Sequence, residues 1–327
     1  HFNQSKGVLF ALQQSPFDSS VIWEVHWIEL KLKHKFYRRL LAWLLNTFVP
    51  KAERVHLFYR GDALPHTNPD LVIGAGGNSA YAVVWLSRAL KAKNIFCGSL
   101  RHLKAQLFDA ILVLEPNMPP PFISLPVSPM PLNQAILKPQ AEQWLQQHPH
   151  VEQPVWTMLI GGDGAGARYD AQDWQQLAKQ MNFLARRHRI KWLLSTSRRT
   201  GQQAEKILQQ YLNFECIADV VWWAEQPRPV LQQFLAVSDK VFCGADSMSM
   251  LMESISALRS VVVYHPVSWQ PDEKFLNVLH RLEQDQLIAI TETTALAKSL
   301  DHHVILKTLD AEPSEMLAKC LSQRLEG

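Results

Sequence analysis

The chain has 327 residues, 47% of them hydrophobic and 19% charged, with a net charge of +3. That length accommodates two domains, and the composition excludes a disordered or fibrous protein. Charge is uneven. Residues 1–110 hold 14 Lys/Arg against 7 Asp/Glu, a net of +7, which leaves −4 for the remainder. The basic half is expected to meet an anionic surface or substrate. Cys97, Cys216, Cys243 and Cys320 are far apart and form no CxxC pair, which argues against a zinc site or disulfide framework and for free thiols in a reducing compartment. No apolar run approaches the roughly 20 residues of a transmembrane helix, and no signal peptide is expected at the start. The first residue is His1, so the natural start is expected upstream.

Taken in chain order, the first half alternates short apolar runs with helical patterns. Strands are predicted at 21–28 (VIWEVHWI), 70–76 (DLVIGAG), 94–99 (NIFCGS) and 109–116 (DAILVLEP), with a helix over 78–92. Between them, residues 30–51 (LKLKHKFYRRLLAWLLNTFVPK) place Tyr37, Leu41, Leu44 and Phe48 on one helical stripe, flanked by Lys31, Lys33, Lys35, Arg38 and Arg39. A basic amphipathic helix with aromatic residues fits a membrane surface; an ordinary helix packing its stripe on the core fits equally. Eight prolines fall between 116 and 139, which predicts irregular or edge structure there. Residues 133–149 lead to a domain boundary, placed at 145/146.

The second half alternates more regularly. Strands are predicted at 155–162, 190–197, 239–246 and 260–266. Helices are predicted at 170–188, capped by Asp170, and at 201–212, 230–238 and 247–258. The fold class is α/β: two doubly wound, Rossmann-like domains, residues 1–145 and 146–327, expected to face a cleft at their strand ends. No short-period repeat is present.

Three successive strand ends in the second half carry phosphate-friendly groups. The first is LIGGDGAGARYD (159–170), with Gly161, Gly162, Asp163 and Gly164. The second is STSRRT (195–200), with Ser195, Ser197, Arg198 and Arg199. The third is GADSMSMLMES (244–254), with Asp246, Ser247, Met248, Ser249 and Glu253. Backbone N–H groups, guanidiniums and a helix start are what a nucleotide diphosphate requires. Singly, each has a plainer reading: a tight turn, a solvated face, a helix cap. Residues 162–167 (GDGAGA) also match G-x-G-x-x-A, a loose dinucleotide fingerprint, but the acid that should follow about 20 residues on is absent. An Arg there would suit an NADP phosphate.

These three motifs resemble those of the mitochondrial-fission-factor-like family, which groups plant elongated-mitochondria proteins with bacterial glycosyltransferases of the lipooligosaccharide outer core. HFNQSKGVLFAL (1–12) resembles the family's first loop and helix, normally preceded by a strand and a glycine, and PDLVIGAGGNSA (69–80) its second glycine site. The resemblance covers nearly the whole chain. It implies a GT-B fold, with a nucleotide-sugar donor bound mainly by the C-terminal half, and Gly76, Gly77, Asn78 and Arg101 on the acceptor side. Where the family carries a His-Asp pair, Glu115 and Pro116 stand here.

The expected function is transfer of a sugar from a nucleotide-sugar donor to a lipid-linked or lipooligosaccharide-core acceptor. No bound cofactor and no metal are expected, since no DxD-type pair stands out and the histidines lack ligand spacing. His1 and Asp163 are the candidate catalytic bases. Expected partners are the nucleotide sugar, the lipid-linked saccharide and an anionic membrane surface, with no nucleic acid, since no recognised module appears. The expected location is cytoplasmic, peripheral on the inner face of the plasma membrane. The alternatives are a non-enzymatic membrane-associated adaptor of the fission-factor type and an NADP-dependent oxidoreductase. An adaptor would not require three polar strand-end loops.

Overall fold

A computed structural model of the chain describes residues 2–14, 22–300 and 306–325. The chain divides into two compact units: His1–Pro131 together with Pro313–Gly327, and Leu132–Glu312.

The first unit contains a four-stranded sheet of β3 (Leu71–Ala75), β4 (Lys93–Cys97), β5 (Ala110–Val113) and β6 (Phe122–Ser124), all parallel and in sequence order. A separate antiparallel pair joins β1 (Leu30–Leu32) to β2 (Tyr59–Gly61). Both faces of the large sheet are covered, as parallel sheets require. On one face, Phe96 and Ile111 pack with α2 (Tyr37–Thr47) and α3 (Ser79–Leu90). On the other, Ile95, Cys97, Ala110 and Leu112 pack with Val8, Ala11 and Leu12 of α1 (Phe2–Gln14) and Leu317, Ala318 and Leu321 of α10 (Pro313–Leu325). Burial there pushes the Cys97 thiol up to about 12, which keeps it an unreactive apolar filler.

The second unit contains six parallel strands: β7 (Val155–Leu159), β8 (Lys191–Ser195), β9 (Ile217–Val221), β10 (Lys240–Gly244), β11 (Ser260–His265) and β12 (Ile288–Glu292). Their order is β12-β11-β10-β7-β8-β9. That is the classical nucleotide-binding order, and its direction reverses between β7 and β10. Trp156, Met158, Trp192, Leu194 and Phe242 face α5 (Ala171–His188) and α6 (Gly201–Tyr211). Val155, Leu193 and Val221 face Trp144 of α4 (Gln134–Gln147) and Phe234 of α7 (Leu231–Val237). α8 (Met248–Ser256) and α9 (Glu273–Gln284) follow β10 and β11.

Three sequence expectations are corrected. Residues 22–29 form no strand; Ile22, Val25 and Trp27 are exposed, so the alternating apolar residues have no sheet to pair with, and the strand is the short β1. The division falls at 131/132, not 145/146, because α4 packs Trp144 into the core of the second unit. The final helix belongs to the first unit, where its Leu317 and Leu321 complete the α1 core. The proline-rich stretch is irregular up to residue 133 apart from the edge strand β6, as expected, but its last residues begin α4, with Pro139 inside the helix.

Candidate functional site

In open parallel sheets, ligands bind outside the carboxyl ends of the strands, where strand order reverses. In the second unit that point lies between β7 and β10, with β8 beside β7. All three sequence-predicted loops leave these strands, and they interlock.

Asp246 follows β10 and its side chain is fully buried. Space for it comes from glycines: a Cβ on Gly161 would collide with its carboxylate, and one on Gly244 would lie 2.5 Å from Oδ1. Arg199, from the loop after β8, donates Nη2–H to Asp246 Oδ2 at 2.5 Å, while its own side chain is 42% exposed. Burial raises the Asp246 carboxyl above its ordinary range; Arg199 and the N–H groups of Asp246 and Gly162 oppose that rise, and Asp163 adds to it. The arrangement seats a cation half in solvent on a buried anion, as a charge-assisted pair of fixed geometry. Among the described residues, Oδ1 of Asp246 and the buried Tyr169 hydroxyl have no hydrogen-bond partner. Both lie on the Cβ side of Gly244, the hydroxyl 3.6 Å from where that atom would sit. Burial and the charge of Asp246 push the Tyr169 hydroxyl well above its usual range, so it remains a neutral donor.

The remaining hydroxyls brace the loops. Ser197 Oγ donates to the Gly161 carbonyl at 3.0 Å, and Thr200 Oγ1 donates to Ile160 O at 3.1 Å. These bonds draw the 197–200 backbone so close that a Cβ on Gly162 would collide with the Arg199 carbonyl. The glycines of this turn therefore clear room for the protein's own Asp246 and Arg199. Ser195 Oγ donates to Thr196 O at 3.3 Å, and Arg198 is exposed.

The two helix starts differ. Asp170 caps α5, accepting from the N–H groups of Gln172 and Asp173 at 2.8 and 2.9 Å, while Asp173 accepts from the Asp170 N–H at 3.0 Å. Two carboxylates close that helix end, so it has no free positive end for a phosphate. α8 has no acid in its first turn, and Ser247 caps it by accepting from Met250 N–H at 3.5 Å. Met248 is half-buried, and Ser249 Oγ donates to Glu253 at 3.3 Å on the outer face. Asp163 is exposed; its Oδ1 accepts from Tyr169 N–H at 3.0 Å, closing the turn. His1 lies outside the described residues. Among the described residues, no group of three His, Cys, Asp or Glu side chains is placed to hold a metal ion.

In the first unit, β3 ends in Gly76-Gly77-Asn78 before α3. The exposed Arg101 guanidinium lies against Gly77, and a Cβ there would collide with it. Arg38 Nε donates to Asn78 Oδ1 at 3.0 Å, and the Tyr81 hydroxyl donates to Arg101 O at 3.1 Å. Arg38, Tyr169 and Thr200 are the site-forming residues that the sequence reading did not assign. Thr200 and Tyr169 stand inside motifs already noted, so only their roles were hidden.

The fold and these strand ends define a GT-B class protein, built from Rossmann-like units. A family model described as mitochondrial fission ELM1 matches residues 1–314, and the chain belongs to that family. Among solved structures, the S. aureus MnaA–UDP complex is similar at 10% identity and TM-score 0.54, covering 99% of this chain and 92% of that one. UDP-GlcNAc 2-epimerase from Neisseria meningitidis bound to UDP-GlcNAc is similar at 12% identity and TM-score 0.52, covering 79% and 76%. A glycosyltransferase from Rickettsia africae is similar at 10% identity and TM-score 0.46, covering 98% and 89%. No curated protein matches the sequence.

Proposed function

We propose that the chain transfers a sugar from a nucleotide-sugar donor to a lipid-linked or lipooligosaccharide-core acceptor, without a metal, while peripheral on the inner face of the plasma membrane. The observation that carries this reading is the half-exposed Arg199, held by buried Asp246 at the strand-order reversal beside the acid-free start of α8. In such a transfer an acceptor hydroxyl attacks the anomeric carbon, and the bond from that carbon to the diphosphate oxygen breaks. Negative charge then grows on the leaving diphosphate. A fixed guanidinium and a helix start meet that charge, and one good donor of this kind is worth about 3–4 kcal/mol. Ser197, Ser247 and Ser249 would line the same diphosphate. The acceptor proton would pass to Asp163, which remains exposed, or to His1. The Gly76-Gly77-Asn78 turn with Arg101 and Arg38 is the proposed acceptor side.

The MnaA complex holds UDP and the Neisseria enzyme UDP-GlcNAc, which favours UDP sugars as first candidates. The test is a thermal-shift screen of UDP, GDP, ADP, CMP and their sugars, followed by product analysis with and without a lipid-linked acceptor and with EDTA. Stabilisation by one nucleotide and EDTA-resistant, acceptor-dependent transfer are expected. Epimerised sugar without acceptor would replace transfer with the reaction of the Neisseria protein. Stabilisation by NADP alone would point to an oxidoreductase, and no ligand at all to an adaptor.

A further inference from the structure

In α2 one face is buried, with Leu41, Ala42 and Leu45 in the core of the first unit. An ordinary surface helix would be polar on the other side. Here the outer face is apolar as well: Phe36 is 71% exposed, Leu40 46% and Trp43 60%, at spacings of four and three residues along one helical stripe. Phe48, 52% exposed, continues it, with its ring 5.7 Å from that of Trp43. Of the stripe expected from sequence, Tyr37, Leu41 and Leu44 pack on the core, as the plainer of its two readings had it, and Phe48 is exposed; the outward set is Phe36, Leu40, Trp43 and Phe48.

The segment that carries this face is strongly basic, with the acids Glu29 and Asp62 just outside it. Residues 31–60 carry eight Lys/Arg and a single acid, Glu53. Lys31, Lys35, Arg39, Lys51 and Arg54 are exposed. Contiguous exposed apolar surface marks an interaction site. Protein interfaces are depleted in lysine, whereas Trp and Phe ringed by Lys and Arg suit the headgroup boundary of an anionic bilayer. Among the described residues, no helix is long and apolar enough to cross a membrane, so contact through this face would be interfacial.

We infer that α2 docks on anionic lipid through Phe36, Leu40, Trp43 and Phe48, with the surrounding cations held at the headgroups. This names the surface and the residues behind the peripheral location proposed above. It does not depend on the transfer reaction, because lipid binding and nucleotide binding are measured separately.

The experiment is co-sedimentation of the full chain with vesicles of phosphatidylcholine alone or with phosphatidylglycerol, at low and high salt. Two variants are compared with the wild type. One removes apolar groups (Phe36→Ser, Leu40→Ser, Trp43→Ser), and the other reverses charges (Lys31→Glu, Lys35→Glu, Arg39→Glu). The wild type should partition at least tenfold more strongly onto the anionic vesicles, and salt should weaken it. Each variant should partition at least tenfold less while keeping its circular dichroism, its melting temperature and any nucleotide-induced thermal shift. Leu41→Ser, by contrast, should lower the melting temperature, since that side chain is in the core. The inference is overturned if the wild type does not sediment with anionic vesicles at low salt, if it binds neutral vesicles equally, or if either folded variant binds as the wild type does. It is also overturned if ultracentrifugation shows a wild-type dimer that the apolar variant dissolves, with no vesicle binding; a second copy would then be the occupant.

Discussion

Two turns in this molecule look alike in sequence and are built differently. β3 runs into Gly76-Gly77 and β7 into Gly161-Gly162, each following the first strand of a parallel sheet. In the second unit the missing Cβ atoms make way for fixed parts of the protein: the Asp246 carboxylate behind Gly161 and the Arg199–Thr200 backbone behind Gly162. In the first unit Gly77 makes way for the far end of an exposed arginine side chain, Arg101. One turn is locked around a buried carboxylate and its half-exposed guanidinium, and the other is covered by an exposed side chain. The same glycine pair thus meets fixed carboxylate and backbone in one unit and a side-chain end in the other.

The largest effect should come from forcing the locked turn. Gly162→Val drives a side chain into the Arg199–Thr200 backbone and should cost about 3 kcal/mol. Chemical denaturation of the second unit checks it; a wild-type midpoint would show that the turn is not locked. Arg199→Ala should come next. It strands a buried carboxylate, but because the guanidinium is 42% exposed the loss should be about 2 kcal/mol, below that of a fully buried pair.

Asp246→Asn sharpens the contrast through pH. Burial raises the Asp246 carboxyl above 3.8. A pKa raised on folding means tighter proton binding in the folded state, so this group stabilises the fold at low pH, and the contribution is lost as pH rises through the folded value. The stability of the wild type relative to Asp246→Asn should therefore fall as pH rises upward from about pH 4. Melting temperatures across pH 4–8 check it; identical slopes in both proteins would contradict it. The smallest effect belongs to the covered turn. Gly77→Ala displaces only the tip of Arg101 and should cost under about 1 kcal/mol. A larger loss would mean that Arg101 is locked too.

The same contrast explains what could be read from sequence. β7, β8, β10 and β11 are buried on both faces and read as unbroken apolar runs, so their position and the three loops after them were legible. β9 and β12 are edge strands with half-buried residues, and Asp219 and Thr291 interrupt their patterns; neither was predicted. Residues 22–29 show the converse, an alternating pattern with no neighbouring strand. The candidate site was legible in its residue list but not in its logic. Nothing in GGDGAG states that an aspartate 85 residues after Gly161 fills the space beside it. The closed start of α5 was nearer the surface of the text, since Asp170 and Asp173 stand at capping-box spacing. On α2, periodicity found an apolar stripe but could not tell the core-facing side from the solvent-facing one, because both are apolar.

The claim that the locked turn exists to hold Arg199 before a diphosphate is tested most directly by calorimetric titration of nucleoside diphosphates into the wild type and Arg199→Ala. The wild type should bind one of UDP, GDP or ADP with one-to-one stoichiometry. Arg199→Ala, shown to be folded by its circular dichroism, should bind that nucleotide at least about tenfold more weakly, the loss expected for a hydrogen bond to a charged group. Equal affinity in the two proteins, or no binding by the wild type to any of the three, would contradict it.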